Sequence, residues 1–512
     1  MEINKAVKDK LKIVFTTYIM VGLITHGIAL FNKISFHDDT METLLGASYT
    51  SGRWSIYIID ELRGFLFGTK FVSSPCFNGC VTLILFAFVT YILIEAFHIS
   101  NRISLILISA LLSSFPYFAT LFAYMFTAWV YGVCFMIAAV ACYFLCNKHN
   151  RTTFIIGTVA LAFSVGIYQA VIPFILSFFV IHEIIKLDYI EKSTWGDFFK
   201  DVLYYAGNCF AFMSLYVLIE QWFLWKFEVS LTNYQGIGEV GNISMKAYLY
   251  RILVAYKRFF QPIRFTGGDV FPGRIYYLYF GVILAAEIGT LSLLKRNYHK
   301  SKTVFIQILL CVLLMPMTIN FVFVMCDEKV TIIHVLMQYA QIFIFIWILY
   351  LLERGYFFTI KYQNKCIFKN LTFVLLGSIV IGQSRFDNSV YIKNQYLQNQ
   401  AICYFTTLIT RIQSVQNYKE DYPIIFLNSK NKSTKLTFEI PGGGDLYFYP
   451  GNEGSIINDY RWIEFMMMWC GFSPEIERDG KYWYDKAKEL EMTHYPDDGA
   501  IIIIEDHIIV NF

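Results

Sequence analysis

Long apolar runs separated by short polar stretches dominate the first 385 residues of the chain. A helix crossing the roughly 30 Å hydrocarbon core of a bilayer needs about 20 apolar residues, because each residue adds about 1.5 Å. Eleven runs meet or approach that length. They are Leu11–Phe31, Phe77–Phe97, Ile103–Tyr117, Tyr124–Cys146, Thr153–Tyr168, Ala170–Lys186, Val202–Trp225, Tyr276–Leu294, Thr303–Met325, Thr331–Leu352 and Phe368–Arg385. The fifth and sixth almost fuse at Tyr168-Gln169. Beyond Arg385 the pattern changes. Asn388–Lys419 reads as a polar amphipathic helix, and Arg461–Cys470 as a second helix. Pro423–Leu427 and Leu436–Ile440 read as strands, and Ala500–Ile504 with Ile508–Phe512 as a terminal hairpin. The expected fold class is a polytopic α-helical membrane protein of about eleven transmembrane helices (residues 1–385), with a C-terminal mixed α/β domain (residues 386–512).

Composition agrees with this pattern. Of the 512 residues, 56% are hydrophobic and 16% charged, well below the ~25% charged of soluble proteins. A disordered chain and a small disulfide-framed domain are excluded. A net charge of +3 gives no argument for a nucleic-acid partner. Most of the eleven cysteines lie in the apolar runs, and their spacing suggests no metal site. Cys403 and Cys470 lie in the tail, where a disulfide and two buried thiols are equally readable.

The charges set an orientation. Basic residues gather at Lys5, Lys8, Lys10 and Lys12, then at every second connection: Arg102; Lys148 and Arg151; Lys192 and Lys200; Lys295, Arg296, Lys300 and Lys302; and Arg354, Lys361, Lys365 and Lys369. The positive-inside rule then makes the N-terminus cytoplasmic. The first run is too long for a cleaved signal peptide and lacks its small-residue cleavage site, so it reads as an anchor. Three segments face outward: 32–75, 226–275 and 386–512.

The first of them carries the chemistry. His37-Asp38-Asp39 follows the first run directly, and paired carboxylates are suited to general-base work. Asp39 with Glu42 also reads as a capping box for a short helix through Met41–Ala47. Arg53–Phe67 is amphipathic, with Trp54, Ile58, Ile59, Leu62, Phe65 and Leu66 on one face and Arg53, Asp60 and Arg63 toward the other. Such a helix lies in the membrane interface. Arg53 there either pairs with a lipid-borne phosphate or snorkels to headgroups. In the second segment Arg251, Lys257, Arg258 and Arg264 are either phosphate partners or interface anchors. Tyr168-Gln169 either binds a sugar or satisfies backbone at a helix junction. Pro441-Gly442-Gly443-Gly444-Asp445 reads as a turn, because no Gly-Lys-Ser/Thr follows. Asp327-Glu328 could join Asp38 in a metal cluster, but no divalent metal is expected.

His37-Asp38-Asp39, Gly52-Arg53-Trp54, Ser74-Pro75 with Gly79, Gly166-Ile167-Tyr168-Gln169 and the close through Tyr495-Pro496, Gly499-Ala500-Ile501 and Ile508-Ile509-Val510 together resemble the serotype-converting glucosyl transferase II family. The resemblance covers nearly the whole chain. It implies a membrane glycosyltransferase of GT-C architecture in the bacterial inner membrane, with its C-terminal domain in the periplasm. The implied substrates are undecaprenyl-phosphate glucose as donor and a lipopolysaccharide O-antigen repeat, or another surface glycan, as acceptor. No cofactor is implied. Asp38 or Asp39 would act as general base in an inverting transfer, and His37, Arg53, Trp54, Tyr168, Gln169, Arg251, Arg258 and Arg264 would bind substrate. The rival class is a transporter or flippase for a polysaccharide precursor. It would call for paired broken helices and midplane charges, whereas Glu95, Glu220, Glu287 and His182-Glu183 sit mostly toward the ends of the runs.

Overall fold

The structure, a computed structural model, describes residues 5–34, 39, 49–68, 73–232, 243–260, 275–327, 335–357, 361–362, 365–428 and 462–512. The chain forms helices α1 (Lys5–Phe31), α2 (Trp54–Phe67), α3 (Pro75–Ala96), α4 (Arg102–Ser113), α5 (Tyr117–Leu121), α6 (Ala128–Asn147), α7 (Arg151–Ile167) and α8 (Ile172–Tyr189). They continue with α9 (Trp195–Lys226), α10 (Met245–Phe260), α11 (Ile275–Lys300), α12 (Lys302–Ile319), α13 (Val322–Met325), α14 (Ile342–Glu353) and α15 (Ile367–Gln413). Asn101, Asn150, Thr194 and Ser301 start α4, α7, α9 and α12, each side chain accepting a hydrogen bond from an otherwise orphaned backbone amide.

Among the described residues, nine helical segments are long and apolar enough to cross a membrane; Arg151–Ile167 and Tyr339–Glu353 are shorter apolar helices. These two fall at the fifth and tenth of the eleven apolar runs. The chain is thus a polytopic helical membrane protein. α1 packs between α3 and α4, α3 continues to α6, α6 to α7 and α7 to α9, while α8 packs on α12. α15 returns to lie along α1, α4 and α11. The first and last apolar helices are therefore neighbours.

Several helices break at one end of this bundle. α4 stops at Ser113 because Pro116 lacks an amide hydrogen and disfavours helix in the residue before it; the chain resumes as α5 and a 3-10 turn at Phe122–Tyr124. α7 stops at Ile167, Tyr168 is extended (φ −154°, ψ 111°), and Gln169–Val171 makes a 3-10 turn into α8. Two further 3-10 turns, Val335–Met337 and Tyr339–Gln341, precede α14. Irregular backbone at this depth is tolerated where side chains satisfy it.

α15 runs unbroken for 47 residues, through the boundary expected at residue 386. Its far half joins a small α/β unit. After the short ribbon β1 (Lys361–Tyr362) and β2 (Lys365–Cys366) come β3 (Ile424–Leu427), α16 (Trp462–Cys470), α17 (Lys481–Glu489), β4 (Ile501–Ile504) and β5 (His507–Asn511). The sheet order is β3-β5-β4, with β3 parallel and β4 antiparallel to β5. Alternation sends Ile424, Phe426, Ile508 and Val510 onto Phe405, Leu408 and Ile412 of α15. It sends Ile425, Leu427 and Ile509 onto Trp483 and Ala487 of α17. Leu436–Ile440 and the glycine run lie outside the described residues. Cys403 and Cys470 are both free thiols.

Candidate active site

Asp39 sits at the broken end of the bundle and is only 1% exposed. A buried carboxylate needs partners for both oxygens, and it has them. Lys33, just past the end of α1, reaches Oδ2 at 2.5 Å and the Asp39 carbonyl at 2.7 Å. The backbone amide of Phe126 donates to Oδ1 at 3.1 Å. Burial pushes the Asp39 carboxyl above the ordinary aspartate range, and the Lys33 ammonium opposes this without cancelling it. Asp39 lines a narrow crevice of about 10 Å³ with Ala29, Asn32, Pro75, Phe122, Met125, Tyr391 and Asn394. The crevice is thus walled by the ends of α1, α3 and the α5 turn, and by α15. Gln398 of α15 holds the Lys33 carbonyl at 3.0 Å. Both Asp39 oxygens are thus engaged, by Lys33 and by the Phe126 amide. His37, Asp38 and the expected helix through Met41–Ala47 lie outside the described residues.

Gly52-Arg53-Trp54 and Gly166-Ile167-Tyr168-Gln169, more than a hundred residues apart, pack onto one another. The amide nitrogen of Gln169 donates to the carbonyls of Ser51 (3.1 Å) and Gly52 (2.8 Å), and the hydroxyl of Tyr216 on α9 also donates to Gly52 (3.0 Å). Gly52 has φ +74°, where a side chain is strained. The Arg53 guanidinium lies over the Tyr168 ring, 5.4 Å from its centroid. Trp54 stacks on Phe223 of α9 and meets Phe163 of α7 edge-on. Its indole nitrogen is buried with no hydrogen-bond partner among the described residues. Ser55 donates to the Phe163 carbonyl at 2.8 Å. Gly166 makes the approach possible, because a Cβ there would fall 2.4 Å from Ser55 Oγ and 2.6 Å from the Trp54 ring. From this anchor α2 presents exposed Ile58, Leu62, Phe65 and Leu66, while Arg63 pairs with Asp60 at 2.5 Å. That is the pattern of a helix lying in a membrane interface.

The arginines of α10 face a different region. Arg251 is buried, donating to the Met325 carbonyl at the end of α13 (3.2 Å) and lying 3.9 Å from Asp327. Arg258 lies over Phe323 and lines a second crevice, of about 20 Å³, with Tyr279, Asn320 and Gln341. Neither arginine lines the Asp39 crevice. Arg264 and Glu328 lie outside the described residues. Among the described residues no three metal-ligating side chains converge.

A polar layer separates the two crevices. His26 of α1 meets the Tyr391 hydroxyl at 2.8 Å through Nδ1 and the Ser113 carbonyl at 2.8 Å through Nε2. Asp387, one turn before Tyr391, is fully buried 3.9 Å from His26 Nδ1. Gln383 bonds to Tyr279 of the second crevice and accepts from Ser114 at 2.8 Å. Sequence reasoning missed Lys33, Tyr216, His26, Tyr391 and Asp387. Two of them carried a signal: Lys33 is a basic residue on the side where the charge rule expects few, and Asp387 is a charge beside an apolar run.

Comparison with curated proteins and with solved structures returns no match. A family model described as glucosyl transferase GtrII matches residues 27–345. That span includes Lys33, Asp39, the Gly52–Trp54 segment and its Tyr168-Gln169 partner, and the arginines of α10. The chain belongs to the glucosyl transferase GtrII family and, by that membership, is a membrane glucosyltransferase.

Proposed function

We propose that the chain moves glucose from a polyprenyl-phosphate donor, undecaprenyl-phosphate glucose, to a surface glycan such as an O-antigen repeat, with inversion at the anomeric carbon. The observation that carries this reading is Asp39, a carboxylate buried among the ends of α1, α3 and the α5 turn and against α15, within the segment the family model matches. The N-terminus is cytoplasmic in this reading, and the crevice and tail are periplasmic.

The transfer needs a base for the acceptor hydroxyl and positive charge for the departing phosphate. A phosphate leaving group requires little protonation, so one base suffices. Asp39 is held by Lys33 and the Phe126 amide. We therefore assign it to fixing the loop and the base to Asp38 beside it, with His37 contacting the sugar. Arg53, fixed over Tyr168, neutralises the phosphate, joined by Arg264, whereas Arg258 lies at the other crevice. The indole N–H of Trp54, unpaired among the described residues, donates to a sugar hydroxyl in this scheme. Arg251, committed to Met325 and Asp327, holds α10 in place. No divalent metal takes part in this scheme.

The test is transfer of labelled glucose from polyprenyl-phosphate glucose in membranes carrying the protein. Asp38→Asn is expected to abolish transfer, and Asp39→Asn to reduce it strongly. Full activity in both inserted variants would sink the mechanism. A wild-type protein that moves the donor across the bilayer without glycan labelling would favour transport instead.

A further inference from the structure

A groove of about 600 Å³ opens in the tail, between the far half of α15 and the loop that leads into β4. That is the size of a ligand site, whereas the Asp39 crevice, at about 10 Å³, is the size of one water. The groove lies beyond residue 345, where the family match ends. On its α15 wall, exposed Thr406, Thr410 and Ser414 repeat every four residues and share one face. The Thr410 hydroxyl donates to the Thr406 carbonyl at 2.8 Å, and Ser414 donates to the Thr410 carbonyl. Thr407, also lining the groove, donates to the Cys403 carbonyl at 2.9 Å. These hydrogens are spent inside the helix, so the oxygens meet a ligand as acceptors. The opposite wall adds the exposed carboxylates of Asp497 and Asp498. Its loop is held in shape: the Asp497 amide donates to the His494 carbonyl (2.8 Å), and Thr493 donates to the Asp498 carbonyl (2.6 Å). Arg411 ties the walls together, its Nη1 donating to the Pro496 carbonyl (3.1 Å) and to Asp498 (3.3 Å). The guanidinium is still 45% exposed, so its other N–H groups stay open to a ligand.

Acceptors thus outnumber donors in the groove, and that imbalance selects the ligand. A phosphate brings no donors at neutral pH and would meet two carboxylates. An extended peptide brings one N–H per residue and as many carbonyls, which would face the hydroxyl lone pairs. A neutral glycan brings many O–H groups that rotate to donate, and oxygens that accept from Arg411. Val415 and Ile501 offer apolar surface to its C–H faces. We propose that this groove binds a neutral stretch of the acceptor glycan, at sugars other than the one that receives glucose; the proposal rests on the glucosyl-transfer reading above. The placement follows from α15, which runs without a break from the Asp39 crevice to the groove. Thr406 and Ser414 follow Asn394 of the crevice wall by 12 and 20 residues, which is about 18–30 Å along a helix. The groove is therefore too distant to touch the reacting sugar. It acts as a second point of attachment, raising the effective concentration of a long acceptor at the site of transfer.

The test uses the full-length protein in detergent and oligosaccharides of one to four repeats, released from a neutral surface polysaccharide of the source cell. Calorimetry reads their binding, and labelled polyprenyl-phosphate glucose reads transfer to them. Two variants probe the groove: Thr410→Val combined with Ser414→Ala, which removes two acceptor oxygens, and Thr410→Trp, which fills the space. Both positions are exposed, so neither change disturbs a core. The wild type is expected to bind four repeats at least about 10-fold more tightly than one. The double variant should weaken four-repeat binding about 10-fold, as two lost hydrogen bonds imply, and Thr410→Trp should remove the gain from length altogether. Acceptor KM for four repeats should rise in step, with donor KM and kcat moving less than about threefold. Equal affinity for short and long fragments overturns the groove, as does four-repeat binding that neither variant weakens. Tighter binding of inorganic phosphate, or of an acidic oligosaccharide of the same length, overturns the neutral-glycan assignment. Transfer that gains nothing from acceptor length removes the groove and leaves the transfer reading standing. Length-dependent binding lost in both variants, in a wild-type protein that transfers no glucose, keeps the groove as a glycan site and removes the transfer reading.

Discussion

Gly52→Ala tests whether the two motifs of the site are held together as described. The residue has φ +74°, and a left-handed alanine costs about 1–2 kcal/mol. Its Cβ would also fall 2.4 Å from the Gln169 side-chain nitrogen and 2.5 Å from the Tyr216 hydroxyl. Those two groups hold the carbonyls of Ser51 and Gly52, and each bond lost costs about 0.5–1.5 kcal/mol. With two or three bonds displaced, the sum is about 2–6 kcal/mol, enough to release the start of α2 from α7 and α9. Hydrogen exchange over residues 49–67 in detergent should report this as local opening, accompanied by loss of transfer activity. Gly52→Asn separates the terms, since asparagine tolerates the left-handed region but carries the same Cβ. It should recover the backbone part only. Adding Gln169→Ser to Gly52→Ala should recover only part of the steric cost. Exchange unchanged in Gly52→Ala, or restored fully by Gln169→Ser, would refute the reasoning.

Gly166→Ala should cost about 1–3 kcal/mol of overpacking against Ser55 and Trp54, outweighing the roughly 1 kcal/mol alanine gains in a helix; thermal unfolding in detergent checks the sign. Tyr216→Phe removes one donor from the Gly52 carbonyl, which keeps Gln169; a loss of about 1 kcal/mol with activity largely retained is expected. Lys33→Met removes the charge that opposes the effect of burial on Asp39. The carboxyl should then hold its proton to higher pH, moving the acid limb of the pH–activity profile upward. An unmoved limb would show that Asp39 does not govern it.

The apolar pattern alone marked the helices, because a spanning segment must satisfy its own backbone and length is set by the bilayer. Among the described residues nine helices are long and apolar enough to span, and the fifth and tenth runs give shorter ones, the fifth ending at Tyr168 and the tenth preceded by two 3-10 turns. The tail boundary was harder to read. Polarity rises after Arg385, yet α15 continues because Phe386, Val390, Tyr391, Asn394, Gln398, Ala401 and Phe405 keep a buried face at helical spacing. The site was legible as separate motifs but not as an assembly. Lys33 lies six residues from Asp39, near enough to be paired by reading. The Gly52–Gln169 and His26–Asp387 contacts join residues more than a hundred and more than three hundred positions apart, and no local pattern encodes them.

What joins these features is the breaking of helices at one end of the bundle. Each break leaves backbone groups that neither water nor lipid can satisfy, and polar side chains from elsewhere in the chain take them up. Asp39 takes the Phe126 amide, Gln169 the Ser51 and Gly52 carbonyls, His26 the Ser113 carbonyl and Arg251 the Met325 carbonyl. Residues that look catalytic in sequence are thus partly consumed in holding the backbone open. Among the described residues, buried polar atoms still unpaired include the Trp54 indole nitrogen, the Asn394 side-chain oxygen in the crevice wall and the Asp387 carboxylate. Substitution of a backbone-holding residue should therefore disturb exchange and stability together with activity. Substitution of an unpaired group should change turnover while leaving the fold nearly untouched, and this difference sorts the two sets by experiment.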